Sequence, residues 1–326
     1  MSKIVALSGG VGGAKLGLGL ARVLAADELV LVANTGDDFE HLGLTICPDL
    51  DTLTYTLAGI ANPEQGWGIA GESWDALAAI QRLGGPDWFL LGDQDIATHL
   101  LRRHWLSQGM TLSAVTAQLC QRLNVVHPIV PMSDHPVRTR VTCRDEGVLD
   151  FQHYFVRQRC QPVAVAIDFA GADSAVPSAG FVEALEQRDL DAVVICPSNP
   201  FLSIDPILAL PGVRERLANR QSPVVAVSPI IGGQAVKGPT AKLMAELGLE
   251  VTNFAIAEHY AGLIDGLVID PCDVHQRPAL EQLGLEVLVI PTLMQCEADK
   301  IALATKVVEF ASALGNRQQP LLRRWG

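Results

Sequence analysis

The chain alternates short, continuous apolar runs with amphipathic segments from its first residues onward. Residues 3–8 form an apolar run that ends in glycines, residues 14–25 carry apolar positions at helical spacing, and a second apolar run follows at 29–33. Such runs predict strands buried on both faces, and their alternation with helices predicts a largely parallel sheet. Further apolar runs lie at 163–167, 192–196, 224–227, 266–269 and 285–290, separated by amphipathic segments at 181–187, 240–247, 257–264 and 298–313. We therefore predict a Rossmann-like α/β fold, with a mostly parallel sheet and helices on both faces.

The middle of the chain has a different pattern. Residues 137–143 and 148–152 flank a short turn that ends in Gly147, which is typical of an antiparallel hairpin. We predict one domain over residues 1–314, in which a helical and hairpin insertion at roughly 51–160 covers the site. The tail at 315–326 lacks periodicity, and we expect it to be flexible. The helical segments of the insertion are predicted at 51–60, 73–83, 98–103 and 112–123.

Composition narrows the class of protein. The 326 residues are 49% hydrophobic and 18% charged, which is typical of a globular protein. The formal charge of −12 argues against nucleic acid or an anionic membrane as a partner. No signal peptide is recognisable, and the seven scattered cysteines form no C-x-x-C pair, so we expect reduced thiols and a cytoplasmic location. Any bound phosphate must then be held by backbone N–H groups, a few cations or a metal ion.

The segment at residues 8–15 (SGGVGGAK) directly follows the first predicted strand. Glycines let the backbone approach a phosphate closely, and the helix that follows adds partial positive charge. The segment is not a P-loop, because Lys15 follows Ala14 and no Ser or Thr comes next. It is not a full dinucleotide fingerprint either, because Lys15 replaces the third glycine. The alternative is a tight glycine turn without a ligand.

Two acidic segments follow, at residues 34–38 (NTGDD) after the second strand and at 48–52 (PDLDT) at the start of a helix. Carboxylates beside a phosphate are costly unless a cation offsets their charge, and a divalent ion would do so. Asp49 and Asp51 also suit the first turn of a helix, where aspartate is a preferred capping residue. Composition alone leaves both interpretations open.

Further segments have the composition of a nucleotide or ring pocket. Residues 88–95 (WFLLGDQD), with His99 beyond them, combine aromatic and polar groups, although a strand end before a capped helix would look the same. Proline-fixed loops with free hydroxyl or amide groups suit a base or a ribose. Such loops lie at residues 131–136, 196–200 and 228–233.

Seven of these segments occur in the order found in a known family. They are residues 8–16 (SGGVGGAKL), 34–38 (NTGDD), 47–52 (CPDLDT), 91–99 (LGDQDIATH), 131–134 (PMSD), 198–200 (SNP) and 228–232 (SPIIG). From about residue 3 to 313 the chain resembles the CofD-type 2-phospho-L-lactate transferases of coenzyme F-420 biosynthesis. The resemblance implies Mg²⁺-dependent transfer of a phospholactyl, phosphoenolpyruvyl or 3-phosphoglyceryl group from a GDP-activated three-carbon acid donor. The implied acceptor is the deazaflavin precursor Fo, and GMP leaves.

The resemblance also implies roles for individual residues. Asp51 would lie between the metal and Fo as the catalytic residue, with Asp38 as the second metal ligand. The Fo-binding residues would be Asp51, Phe89, Leu90, Gly92 and Asp93. The nucleotide-binding residues would be Gly9, Gly10, Gly12, Gly13, Lys15, Ser133, Ser198, Asn199, Pro200, Ser228, Ile230 and Gly232.

Other functions remain to be weighed against this resemblance. A nucleotide-sugar-binding regulator of the gluconeogenesis-factor type would share the glycine loop and the acidic residues. An NAD-dependent dehydrogenase is disfavoured by Lys15 at the third-glycine position and by Asn34 at the end of the second strand. Leu90 stands where several archaeal family members carry a basic or polar residue, which favours the bacterial branch and leaves the acid donor open. From the general frequency of dimers we expect a homodimer.

Overall fold

The computed structural model describes residues 3–236 and 238–318. The strands are β1 (Lys3–Ser8), β2 (Leu29–Ala33), β3 (Phe39–His41), β4 (Leu44–Ile46), β5 (Ile129–Pro131), β6 (Arg138–Cys143), β7 (Gly147–Asp150), β8 (Ala164–Ala170), β9 (Leu190–Ile195), β10 (Val224–Val227), β11 (Ile230–Ile231), β12 (Gln234–Ala235), β13 (Gly266–Ile269) and β14 (Glu286–Val289). The helices are α1 (Gly10–Val23), α2 (Pro48–Ala58), α3 (Asp75–Arg82), α4 (Asp93–Ser107), α5 (Leu112–Arg122), α6 (Ala179–Leu185), α7 (Asp205–Leu208), α8 (Val213–Ala218), α9 (Thr240–Glu246), α10 (Asn253–His259), α11 (Arg277–Gln282) and α12 (Glu297–Gln318).

A seven-stranded sheet forms the centre, in the order β14-β13-β10-β9-β1-β2-β5. Its neighbouring strands are parallel throughout. Successive residues of β1 point to opposite faces, so Val5 and Leu7 pack in one hydrophobic core and Ile4 and Ala6 in the other. Helices cover both faces, which confirms the predicted Rossmann-like α/β fold and explains why the strands are continuously apolar.

The strands of the insertion and the strand between it and β9 differ in part from the prediction. The hairpin of β6 and β7 is antiparallel, as predicted. The run at 163–167 was expected among the buried parallel strands, and that prediction was wrong, because β8 pairs antiparallel with β6 in a separate three-stranded sheet. Most residues of β8 are exposed or half-buried, so its apolar run does not mark a core strand. The edge strand β5, which pairs with β2, was not predicted.

The other predicted strands and helices are present, with shifted ends, whereas the short elements β3, β4, β11, β12, α7, α8 and α11 were not predicted. The four helical segments predicted in the insertion correspond to α2, α3, α4 and α5. Helix α12 continues through residues 315–318, which we had predicted as the start of the tail. Residues 319–326 lie outside those the structure describes. Within residues 3–236 and 238–318, no helix combines the length and the apolar composition that a membrane crossing requires.

Helix α1 carries the glycine loop, and its position depends on close packing against α12. A Cβ atom on Gly19 would overlap the backbone carbonyl oxygen of Lys300 at the start of α12. A Cβ atom on Gly17, two residues earlier, would meet only side-chain ends, Leu53 Cδ1 at 3.0 Å and Leu31 Cδ2 at 3.2 Å. The two glycines therefore face neighbours of different rigidity.

We predict that Gly19→Ala destabilises the fold by about 1–3 kcal/mol, because α12 must shift away from α1. The matched variant Gly17→Ala meets atoms that can rotate and gains about 1 kcal/mol of helix propensity, so its effect should be much smaller. Urea unfolding of both variants measures the difference. Equal stabilities would contradict the assigned contact between α1 and Lys300.

Candidate active site

A cavity of about 640 Å³ opens at the carboxyl ends of the central strands. The loops that follow β1, β9 and β10 line one side of it, and the insertion lines the other. Ligands of open parallel sheets bind at this edge. The volume lies within the range of small-molecule and cofactor sites.

The glycine loop is packed tightly between two neighbouring segments. The Gly9 amide donates to Ser198 Oγ at 3.1 Å, and the Gly10 amide donates to Asp49 Oδ1 at 2.7 Å. A Cβ on Gly12 would overlap the Pro197 carbonyl oxygen. Glycine at position 12 is therefore required by packing, whatever it binds. The following amides belong to the first turn of α1, where N–H groups have no intrahelical acceptor and can face an anion.

Asp49 and Asp51 start α2, but neither acts as its N-cap, which is Cys47. The Asp49 carboxylate joins the Gly10 amide to the Asn34 side-chain amide, which donates to Oδ2 at 2.9 Å. The Asp51 carboxylate bonds through Oδ1 to the guanidinium of Arg102. The side-chain bonds of both aspartates therefore go to other segments, which weakens the capping interpretation.

Burial raises the pKa values of several of these carboxyl groups. Burial raises the pKa of Asp38 to about 7, although Arg138 opposes the change. Burial also raises the pKa of Asp49 to about 6, against the hydrogen bonds from Asn34 and Gly10. The pKa of Asp37 lies well above its ordinary value because of burial and then the charge of Asp49. A cation bound beside these carboxylates would offset their charge and so lower the free-energy cost of burying them in the ionised form.

Whether the residues fit a divalent ion depends on carboxylate oxygens that are not already used. Asp51 Oδ2, Asp38 Oδ1 and Asp37 Oδ1 are buried and lack a hydrogen-bond partner among the described residues. Across those residues, no three His, Cys, Asp or Glu side chains are grouped to hold a metal by themselves. The site therefore fits Mg²⁺, which is usually held by one or two carboxylates together with phosphate oxygens and water.

The insertion gives the cavity an aromatic wall. The Phe89 ring contacts that of Phe39 edge to face at 4.9 Å, and Trp88 contacts His153 at 4.9 Å. Phe151 and Phe155 stack at 5.3 Å. Apolar faces of this kind suit a planar ring system. Trp67, Leu90 and Val156 extend the wall.

The structure brings ten of the sequence-predicted site residues to the cavity lining. These are Gly9, Gly10, Gly12, Lys15, Asp51, Phe89, Leu90, Ser198, Asn199 and Ser228. Lys15 also donates from Nζ to the Met294 carbonyl at 2.8 Å.

Eight other predicted residues lie outside that lining. They are Gly13, Asp38, Gly92, Asp93, Ser133, Pro200, Ile230 and Gly232. Asp38 lines an adjoining pocket of about 270 Å³ that shares Asp37 and Trp88 with the cavity. The Asp93 carboxylate accepts hydrogen bonds from Ser73 Oγ at 2.6 Å and from the Ala76 amide at 3.0 Å. Ser133 is buried and donates to the Val176 carbonyl at 2.6 Å.

Sequence reasoning missed several residues that the structure places at the site. Tyr55, Trp67, Phe151, Phe155 and Arg159 line the cavity. We had predicted a strand through Gln152, whereas β7 ends at Asp150 and a helical turn follows. The buried Arg102 could have been found from its spacing, because it lies three residues after His99 on the same helix face.

A comparison with protein-family models and one with individual known proteins point to the same kind of enzyme. A family model described as 2-phospho-L-lactate transferase CofD matches residues 4–303. The chain is 46% identical over 298 residues to a phosphoenolpyruvate transferase of Kitasatospora aureofaciens, covering 90% of this chain and 92% of that protein. It is 41% identical over 314 residues to one of Streptomyces griseus (95% and 98% covered) and 39% identical over 312 residues to one of Mycolicibacterium smegmatis (90% and 93%).

The fold of this chain is similar to that of a protein whose structure has been solved. Two crystal structures of BH3568 from Bacillus halodurans, a member of the UPF0052 family, superpose with TM-scores of 0.59 and 0.63. Their sequence identities are 14% and 16%, and 95% of this chain is covered in both, with 98% and 99% of the other chain. At that identity the likeness concerns the fold alone.

We predict that Asp38→Asn stabilises the protein at pH 8 when divalent ions and ligands are absent. Folded Asp38 has its pKa raised to about 7, so the folded state holds an extra proton between that pH and the unfolded pKa. Wild-type stability should therefore fall as the pH rises through this window, and the variant should be the more stable at pH 8 by about 1–4 kcal/mol.

Thermal melts of both proteins between pH 5 and pH 8 measure this difference, which should shrink as the pH falls. The control is Asp93→Asn. The hydrogen bond from Ser73 lowers the pKa of Asp93, so this variant should be less stable than wild type at pH 8. A pH-independent loss of stability in Asp38→Asn would contradict the assigned cost of burial.

Proposed function

Because the chain belongs to the CofD family, we propose that it transfers a phosphoenolpyruvyl or phospholactyl group from a GDP-linked donor to the deazaflavin Fo. The products are GMP and coenzyme F-420-0 or its dehydro form. The observation that carries this proposal is the family match over residues 4–303. The phosphoenolpyruvate transferases among the relatives favour phosphoenolpyruvyl as the group transferred. Family membership supports an enzyme over a nucleotide-sugar-binding regulator or a dehydrogenase.

We assign the GDP half of the donor to the loops after β1, β9 and β10. The first turn of α1 lines the cavity at Val11 and Gly12, where a diphosphate would gain hydrogen bonds from backbone amides and the favourable end of the helix dipole. Lys15 lies on the same lining and adds positive charge. Ser198, Asn199 and Ser228 offer hydroxyl and amide groups along the other two loops, suited to the guanosine.

We assign the divalent ion to the part of the cavity lined by Asp51, with Asp38 or Asp37 as the second carboxylate. Their unpartnered oxygens support this assignment. When bound, Mg²⁺ would neutralise charge on the phosphate oxygens of the donor. Asp51 Oδ1 is already bonded to Arg102, and we assign Oδ2 to the ion, so we give Asp51 a role in holding and orientation rather than in proton removal.

We assign Fo to the aromatic wall, where its flat ring would pack on Phe89 and the neighbouring rings. The terminal ribityl hydroxyl then attacks the phosphorus that carries the acid. A new oxygen–phosphorus bond forms, the bond from that phosphorus to GMP breaks, and the hydroxyl proton leaves to solvent. Such transfer depends on positioning and charge neutralisation, which the cavity offers on both sides of the reacting phosphorus.

We predict that the purified protein with Mg²⁺ and Fo releases GMP from at least one GDP-linked acid among the enolpyruvyl, lactyl and glyceryl forms. Asp51→Asn should lower kcat by at least about a hundredfold, because it removes the charge facing the cation. Chromatographic detection of GMP measures both.

The matched control is Asp145→Asn, in the exposed turn between β6 and β7, which should keep wild-type activity. Absence of GMP release from all three donors would refute the transferase assignment. Near-normal turnover in Asp51→Asn would remove that residue from the site.

We predict that Phe89→Ala raises the KM for Fo by about tenfold and leaves the KM for the donor within about twofold, because only the ring-binding surface is lost. Phe310→Ala on α12 makes the same truncation away from the cavity and should change neither constant. Steady-state kinetics with each substrate varied in turn separates the two constants. A larger effect on the donor would mean that the two substrate positions are reversed.

A further inference from the structure

Arg102 is the least expected charged residue in the structure. It lies on α4, where its neighbours Leu101 and Arg103 are exposed, yet only 1% of its surface is accessible. Arginine is almost never buried to this extent unless its charge is paired. The described lining of the cavity includes Asp51 and His99 but not Arg102, so the guanidinium stands behind the site.

The guanidinium joins three segments of the chain. Its Nη2 bonds to Asp51 Oδ1 on α2. Its Nη1 lies 3.2 Å from the Thr45 carbonyl oxygen on β4 and 2.9 Å from His99 Nδ1 on α4. Because the fork is planar and rigid, these contacts fix the direction from which it meets the carboxylate.

His99 supports Arg102 from the other side. Arginine only donates, so His99 Nδ1 must accept, and the ring proton is then on Nε2. That nitrogen lies 3.2 Å from Asp95 Oδ1, which accepts the Tyr55 hydroxyl at 2.7 Å. Nε2 makes no hydrogen bond among the described residues, so the 3.2 Å approach to Asp95 is a contact only, and the bond that links His99 to Arg102 is the one at Nδ1.

The two oxygens of the Asp51 carboxylate therefore have different surroundings. Its Oδ1 is used by Arg102, whereas Oδ2 is buried and lacks a hydrogen-bond partner among the described residues. His99 Nδ1, at 3.8 Å, is too distant to bond Oδ2. One oxygen is thus anchored within the protein, and the other is left without a partner on a residue that lines the cavity.

We propose that Arg102 is a positioning residue that anchors Asp51 Oδ1 and so presents Oδ2 to the divalent ion. The inference rests on the proposed function, which assigns the ion to Asp51. It adds that cation affinity depends on a side chain that touches neither the ion nor a substrate. Lysine would not replace it, because one ammonium group cannot span Asp51, Thr45 and His99 in a fixed plane.

The test measures Mn²⁺ binding by electron paramagnetic resonance in the presence of GDP. In Arg102→Met, Mn²⁺ affinity should fall by at least about tenfold, towards that of Asp51→Asn, while metal-free GDP affinity stays within about twofold of wild type. Arg103→Met removes the same group from the exposed neighbouring position and should bind Mn²⁺ as wild type does. Wild-type Mn²⁺ affinity in Arg102→Met would overturn the inference.

Arg102→Lys separates position from charge. It should recover less than about a third of the wild-type Mn²⁺ affinity, because the charge returns without the planar fork. Full recovery would show that charge alone suffices and would overturn the positioning role. If Arg102→Met does not fold, as judged by its thermal melt, Arg102→Gln takes its place, since it keeps a polar donor at this position but is too short to reach Asp51 as arginine does, and the same loss of affinity is expected.

The same measurements distinguish failure of the proposed metal site from failure of the proposed role of Arg102. If Asp51→Asn binds Mn²⁺ as wild type does, the metal assignment fails and the inference fails with it. If Asp51→Asn loses binding and the Arg102 variants do not, only the role of Arg102 is refuted.

Discussion

The arrangement of the cavity depends on the burial of several carboxylates beside a glycine loop that is tightly packed at Gly9, Gly12 and Gly13. Asp49 resolves part of this conflict, because its two oxygens take the Gly10 and Asn34 amides and so tie α2 to the loops after β1 and β2. Arg102 resolves another part by pairing with Asp51. The remaining unpartnered oxygens carry the electrostatic cost that a ligand can relieve.

Sheet topology explains why these groups meet. From β1 the chain builds outward through β2 and β5 on one side, and then through β9, β10, β13 and β14 on the other. The order therefore reverses between β1 and β9, where the two following loops diverge and leave a crevice. Gly12 and Pro197 belong to those two loops and lie so close together that a Cβ atom on Gly12 would overlap the Pro197 carbonyl oxygen. The two loops therefore meet at this point.

The central sheet could be predicted because strands buried on both faces leave continuous apolar runs. The same signal failed at 163–167, since a half-exposed strand of an insertion has a similar composition. The glycine loop and Asp51 could be identified from local sequence. Phe155 could not, and Arg102 left only the partial signal of its spacing from His99, because its partners Asp51 and Thr45 lie far away in sequence. Asp93 shows what a local motif leaves out, because its carboxylate accepts hydrogen bonds from Ser73 and from the first turn of α3, which the motif does not reveal.

The partners of the glycine loop also bear on the order of folding. Gly10 bonds to a residue 39 positions away, Gly9 to one 189 positions away and Lys15 to one 279 positions away. Contacts of such long range form late, because the entropy of closing large loops opposes them. During synthesis the loop emerges first, yet its last partner, Met294, arrives only when almost the whole chain has been made. A nascent chain therefore carries a glycine loop without all of its native hydrogen-bond partners for most of its time on the ribosome.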